Sequence, residues 1–192
     1  MHALRKRATV IVIVAQTSYA GFRSGIIPGM QIQELLGYAD WSKGVLQSTL
    51  EAHVEMWDKE FETISNFKSI RALTAHIAGA EERWLMGVLG QPRPNPIFEE
   101  RVAGSIADVF GGWDVIRSGT HDFVSTAAPG DILVVHQISL PRWNFEADKT
   151  VEQILHHVCN HQTYHLGQIS MTLQRWGIDP PNFDAILMPS NP

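Results

Sequence analysis

Between Thr150 and Gly177 the chain spells out a helix whose two ends are marked and whose apolar face is broken in the middle. Thr150-Val-Glu-Gln153 has capping-box spacing, in which the side chain at each end of the tetrapeptide bonds to the backbone N–H of the other. Gly177 followed by Pro180-Pro181 stops the helix, because glycine accepts the left-handed conformation of a helix end and proline cannot continue one. Apolar residues run down one side as Val151, Leu155 and Val158, then Ile169, Leu173 and Trp176. His161, Gln162 and His165 fill the gap. Polar side chains on a core-facing stripe are costly unless something satisfies them, so the gap is where chemistry is to be sought.

The rest of the chain supplies partners for this helix. From Met30, residues such as Ile32, Leu36, Ala39, Leu46, Leu50 and Trp57 recur at three- and four-residue steps, and the stripe extends through Val54 and Phe61. A polar break at Ser65-Asn66 follows. Ser69 then caps a second helix carrying Leu73, Ile77, Ala80, Trp84 and Val88, stopped by Gly90 and the proline-rich QPRPNP. A third helix spans about Ser105 to Val124, weakened by Gly111-Gly112. Between Ala127 and Asp148 the short runs DILVVHQI and RWNFEA, parted by Leu140-Pro141, read as a small hairpin or extended crossover. The expected fold is all-α: an antiparallel four-helix bundle with a small extended or hairpin insertion before the last helix.

At 192 residues the chain fits one domain, large enough to bury a core without staples. A single cysteine, Cys159, rules out an internal disulfide framework, fits a reducing compartment and reads as a small packing residue. The first 29 residues carry Arg5, Lys6, Arg7 and Arg23 and no acid, so the other 163 carry −9 of the net −5. A folded part this acidic lacks the basic face that nucleic acid requires, and no stretch is apolar enough to span a membrane. Residues 1–29 form an N-terminal extension ahead of a domain at 30–192. HALRKR, ATVIVIVA and TSYA outline a signal peptide with cleavage after Ala20. The reading preferred is a tail or a mis-start before Met30 with a cytoplasmic location, and export is the open alternative.

Four of the nine histidines fall between His156 and His165. His161 and His165 stand four apart, which on a helix puts both imidazoles on one face within reach of one divalent ion. His76, in the second helix beside Leu73 and Ala80, offers a third nitrogen; taken alone it also fits a core histidine donating to a backbone carbonyl. Three neutral imidazoles suit zinc, nickel or ferrous iron and leave a position open. His157, one turn before His161, is either a residue supporting the ligands or helix surface, and His156, His53, His121 and His136 have no identifiable partner. HExxH, a Gly-rich phosphate loop and a nucleophile elbow are all absent from the sequence.

Met30-Gln-Ile-Gln-Glu-Leu-Leu-Gly-Tyr38-Ala-Asp-Trp41 resembles the opening helix of the DinB-like (DinB/YfiT) superfamily. Leu73-Thr-Ala-His76-Ile with Glu81 and Trp84 resembles its second-helix motif. His157-Val-Cys-Asn-His161-Gln-Thr-Tyr-His165-Leu-Gly-Gln168-Ile, then Gly177, Pro180 and Asp184, is similar to its closing signature. The resemblance covers residue 30 to the end and implies a metal-binding four-helix bundle, commonly a homodimer, with His76, His161 and His165 holding a divalent metal. The family often has histidine just before the final ligand and arginine just after it; here Tyr164 and Leu166 stand there. Among its members are S-transferases and isomerases that use low-molecular-weight thiols.

These observations lead to a metal-dependent enzyme acting on a small-molecule substrate, with a thiol-dependent S-transferase favoured and a hydrolase as the second reaction. No catalytic base is assignable beyond His157 and Tyr164 as candidates. A non-catalytic metal-binding or small-molecule-sensing bundle is the alternative.

Overall fold

The last helix forms where its end signals place it. In the computed structural model, which describes residues 15–16, 30–63 and 66–189, α5 spans Val151–Arg175 and Thr150 and Gln153 close the expected capping box. At its other end Gly177 adopts φ +79, Ile178 N–H bonds back to Leu173 and Gly177 N–H to Gln174, the two bonds of a Schellman stop. Three further long helices precede it: α1 (Met30–Ala52), α2 (Ile70–Val88) and α4 (Ile106–Thr126). Ser69 caps α2 by accepting from Ala72 N–H, and Gly90, at φ +66, ends it with the same pair of bonds. Ser105 and Asp108 form a capping box at the start of α4. A single-turn helix, α3 (Phe98–Arg101), lies in the segment that reads in sequence only as a proline-rich stop.

The expected hairpin is present. Strands β2 (Val135–Leu140) and β3 (Phe145–Thr150) pair antiparallel, from Val135 opposite Thr150 to Leu140 opposite Phe145. Asn144, at φ 48, makes the reversal after the turn Pro141–Trp143. Strand β1 (Ala15–Gln16) adds to the other edge of β2. Of residues 1–29 only this pair is described, so the leader, tail and mis-start readings lie outside the described residues. None of the described helices is long and apolar enough to cross a membrane.

One expectation fails at the end of α1. The helix stops at Ala52, and the apolar stripe that continues in sequence through Val54, Trp57 and Phe61 is not α-helical. After a 3-10 turn the chain runs beside the start of α2, Phe61 N–H bonding to Lys68 and Arg71 N–H to Trp57. Trp57 thereby enters the core and donates its indole N–H to Gly104 at 2.7 Å, while Val54 is left 62% exposed.

Helices α1 and α2 each pack against both α4 and α5. The molecule is mostly helical with a small antiparallel sheet, an arrangement compatible with a helical bundle. Its interior is divided. One apolar cluster gathers Leu46 and Leu50 of α1 with Phe110, Trp113, Leu166 and Ile169; a second gathers Ile32 and Leu36 with Val151, Leu155 and Cys159. On α1 the boundary falls at Asp40 and Ser42, and on α5 at Gln162. A polar layer occupies it. Arg117 of α4 donates to Glu81 of α2 through Nε and Nη2 at 2.8 and 2.9 Å, to Asp40 through Nη1 at 2.8 Å and to Gln162 through Nη2 at 2.8 Å. Trp113 and Thr120 also donate to Glu81, and Gln162 returns its amide N–H to Ala39 carbonyl and Ser42 hydroxyl.

Candidate metal centre

Helix α5 turns Gln162 toward α1 and α4, which leaves His161 and His165 on the side facing α2. There they meet His76. The three rings meet in T-shaped pairs, with centroids 5.1 Å from His76 to each of the others and 4.4 Å between His161 and His165. One ring nitrogen from each lies within 4.8 Å of the others. Phe67 stacks on His76 at 4.0 Å and covers its face.

The nitrogens away from this meeting point are held for two of the three rings. His76 Nδ1 lies 3.3 Å from Glu99 Oε1, and Glu99 is in turn gripped by Arg83 through both carboxylate oxygens at 2.9 and 2.8 Å. Burial raises the Glu99 carboxyl, but the His76 contact and the Arg83 charge outweigh it and hold the group below its ordinary range. It therefore accepts the Nδ1 proton of His76. His165 Nδ1 lies 2.7 Å from Gln168 Oε1. An amide oxygen only accepts, so His165 carries its proton on Nδ1 and presents a lone pair at Nε2. Ligand histidines in metal sites are tied to a carboxylate or carbonyl in this way, which fixes both tautomer and ring direction.

Two nitrogens bound to one ion at about 2.0–2.1 Å sit roughly 3 to 3.5 Å apart. His161 Nε2 and His165 Nε2 are 3.1 Å apart. Burial, joined by the fields of His165 and His76, pushes the His161 imidazole down to about 2, and burial also lowers His165. Both rings are thus neutral at ordinary pH, the form that binds metal. The donor set, the spacing and the protonation states all fit a divalent ion.

A model of the DinB superfamily matches residues 45–169, about two thirds of the chain. The chain belongs to the DinB superfamily. No curated protein matches it. The matched span of this DinB-superfamily chain includes the three histidines, Glu99, Gln168 and, of the polar layer, Glu81, Trp113, Arg117, Thr120 and Gln162, while Asp40 and Ser42 precede it. The opening-helix residues Met30–Trp41 and the closing Gly177, Pro180 and Asp184 fall outside it.

The other histidines named from sequence are scattered. His157 rests its ring 5.2 Å from Trp84 and 5.7 Å from His161, with no hydrogen bond to the triad among the described residues. Tyr164 is exposed, its ring 5.1 Å from His165. His156 is exposed on α5. His121 pairs with Asp40 at 2.7 Å, at the edge of the polar layer. Cys159 is buried, and burial raises its thiol to about 11, which keeps it protonated and unreactive. Sequence reasoning missed Glu99, which comes from the uncalled α3. It named Glu81 only as part of the second-helix motif, without a role, and missed Arg117, although both carried a signal: each is a charged residue four positions after a core residue, Ile77 and Trp113.

Proposed function

We propose that this DinB-superfamily chain is a divalent-metal enzyme acting on a small molecule, with transfer of a low-molecular-weight thiol to an electrophile as the favoured reaction and hydrolysis as the second. The observation that carries the reading is the convergence of three imidazole nitrogens within 4.8 Å. A bound zinc, nickel or ferrous ion supplies Lewis acidity and lowers the pKa of a thiol or water held there. The chain's own part is to fix the ligands: Glu99 and Arg83 orient His76, and Gln168 orients His165. In the transfer a carbon–sulfur bond forms as the bond from that carbon to its leaving group breaks, the leaving group keeping the electron pair. The thiol proton passes to a base, for which a ring nitrogen of His157 is the candidate; Tyr164, the other residue named for the role, would accept it only as its phenolate.

A metal-binding bundle that senses a small molecule without turnover is the alternative. It draws support from the commitment of the carboxylate that touches the triad, since Glu99 is already engaged by Arg83 and His76.

Metal analysis of protein purified without a histidine tag tests the centre. We expect close to one equivalent in the wild type and its loss in His76→Ala, the ligand most distant in sequence. Less than about one-tenth of an equivalent in the wild type, unchanged by added divalent ions, overturns the reading, because a formed three-histidine site binds metal. Turnover of monobromobimane with added thiols, lost in a folded His161→Ala variant, supports the transferase. Metal-loaded protein with neither thiol affinity nor turnover supports the sensor.

A further inference from the structure

A cavity of about 550 Å³ lies between the hairpin and the helices, with Trp84 of α2 and Ile154 of α5 on one side and Ile138 and Phe145 of the sheet on the other. That is the size range of small-molecule sites. His157 belongs to its wall and to the rim of the triad at once, since its ring also packs against His161. The cavity therefore opens one helical turn from the candidate metal.

The lining is mainly apolar, and its charge is of one sign. Among the described residues that line it, Lys149 is the single formal cation and no carboxylate contributes. Lys149 is half-buried and makes no ion pair with any described residue. It sits on the sheet face it shares with Phe145, directly across the ladder from His136. His136 is only 4% exposed, and neither ring nitrogen has a hydrogen-bond partner among the described residues. A half-buried lysine without an ion pair among the described residues thus lines an apolar chamber. Beside it on the ladder, behind the lining, stands an imidazole with no partner among them, where a buried donor without an acceptor is costly. Trp143, 63% exposed, overhangs the rim from the turn of the hairpin.

We propose that this cavity is the substrate pocket and that it takes an apolar, aromatic or aliphatic molecule bearing one carboxylate. The carboxylate pairs with Lys149, the body lies between Trp84 and the hairpin, and the far end passes His157 toward the triad. The assignment of this ligand as substrate rests on the enzymatic reading above; the charge preference of the pocket does not.

Equilibrium binding of naphthoate, naphthamide and naphthylmethylammonium, read by tryptophan fluorescence and calorimetry, tests it on the full chain. In the wild type naphthoate binds at least about tenfold tighter than naphthamide, the scale of one charge-assisted hydrogen bond, and the ammonium binds weakest. Lys149→Met abolishes the preference for the carboxylate while leaving naphthamide affinity within about twofold. Trp143→Ala, at a largely exposed position, weakens naphthoate and naphthamide alike. Equal affinity for naphthoate and naphthamide in the wild type overturns the proposal, as does a preference that survives Lys149→Met. Binding untouched by both Trp143→Ala and the cavity-filling Ile154→Trp overturns it too. Titrations are run with a chelator and with added zinc. Absence of metal binding with the preference intact retires the metal reading alone, and metal binding without the preference retires the pocket alone.

Discussion

Gln168 settles which nitrogen of His165 faces the triad. Its side-chain oxygen, 2.7 Å from Nδ1, accepts the ring proton and leaves the lone pair at Nε2, 3.1 Å from the equivalent nitrogen of His161. Without that acceptor the ring is free to rotate and to carry its proton on either nitrogen. Gln168→Ala is therefore expected to lower metal affinity by about 10- to 100-fold, the usual cost of losing a residue that orients a ligand, while the melting temperature of metal-free protein stays nearly unchanged. Competition titration against a chromophoric chelator measures the first and calorimetry the second. Equal affinities in variant and wild type would show that packing alone holds His165. The three histidines were legible because an i,i+4 pair broke an apolar stripe and because the motifs matched a family pattern. Glu99 was not, since nothing in Phe98-Glu-Glu-Arg101 marks which acid turns inward.

At the level of elements, helix ends were more legible than helix interiors. Capping boxes and left-handed glycines are local chemistry, so Ser69, Thr150, Gly90 and Gly177 appear where expected. The end of α1 was not legible, because the three- and four-residue apolar spacing continues past Ala52 while the chain itself leaves the helix. Helix α3 is too short to show any period, yet it is seated with close tolerance. A Cβ at Gly112 of α4 would lie 2.7 Å from the Phe98 ring, and one at Gly79 of α2 would lie 2.2 Å from Glu99 Oε2. The glycine pair that weakens α4 in sequence thus contains one residue with a packing role. Gly111, with nothing within 4 Å of its Cβ position, has none. Gly111→Ala is expected to stabilise the protein by about 0.5–1 kcal/mol through helix propensity. Gly112→Ala should destabilise it by about 1–3 kcal/mol through overpacking against Phe98. Urea denaturation of the two single variants checks this; changes of the same sign in both would show that Phe98 moves aside freely.

Across the whole molecule the polar layer does what an unbroken apolar core cannot: it fixes the rotation of each helix about its own axis. Glu81, Asp40, Arg117 and Gln162 come from four different helices, and their bonds are satisfied in one arrangement. With Gln162 held by Arg117, Ala39 and Ser42, the neighbouring turn of α5 must present His161 and His165 to α2. The triad is thereby coupled to a layer it does not touch. Arg117 and Glu81 are both nearly inaccessible, at 4% and 2% exposure, so removing one partner strands a buried charge. Arg117→Met is expected to cost about 3–5 kcal/mol in stability, measured by urea denaturation. Adding Glu81→Gln should restore about 1–2 kcal/mol, because the neutral amide needs no cation: its oxygen can take the place that accepts from Trp113, and its NH2 can donate to the Thr120 hydroxyl, which is able to accept. The double variant should also bind zinc more weakly than wild type when both are folded, since Gln162 has lost its strongest donor and α5 can turn. A double variant no more stable than Arg117→Met would mean that lost hydrogen bonds, rather than the stranded carboxylate, dominate the cost. Unchanged zinc affinity would mean that the apolar clusters alone orient α5.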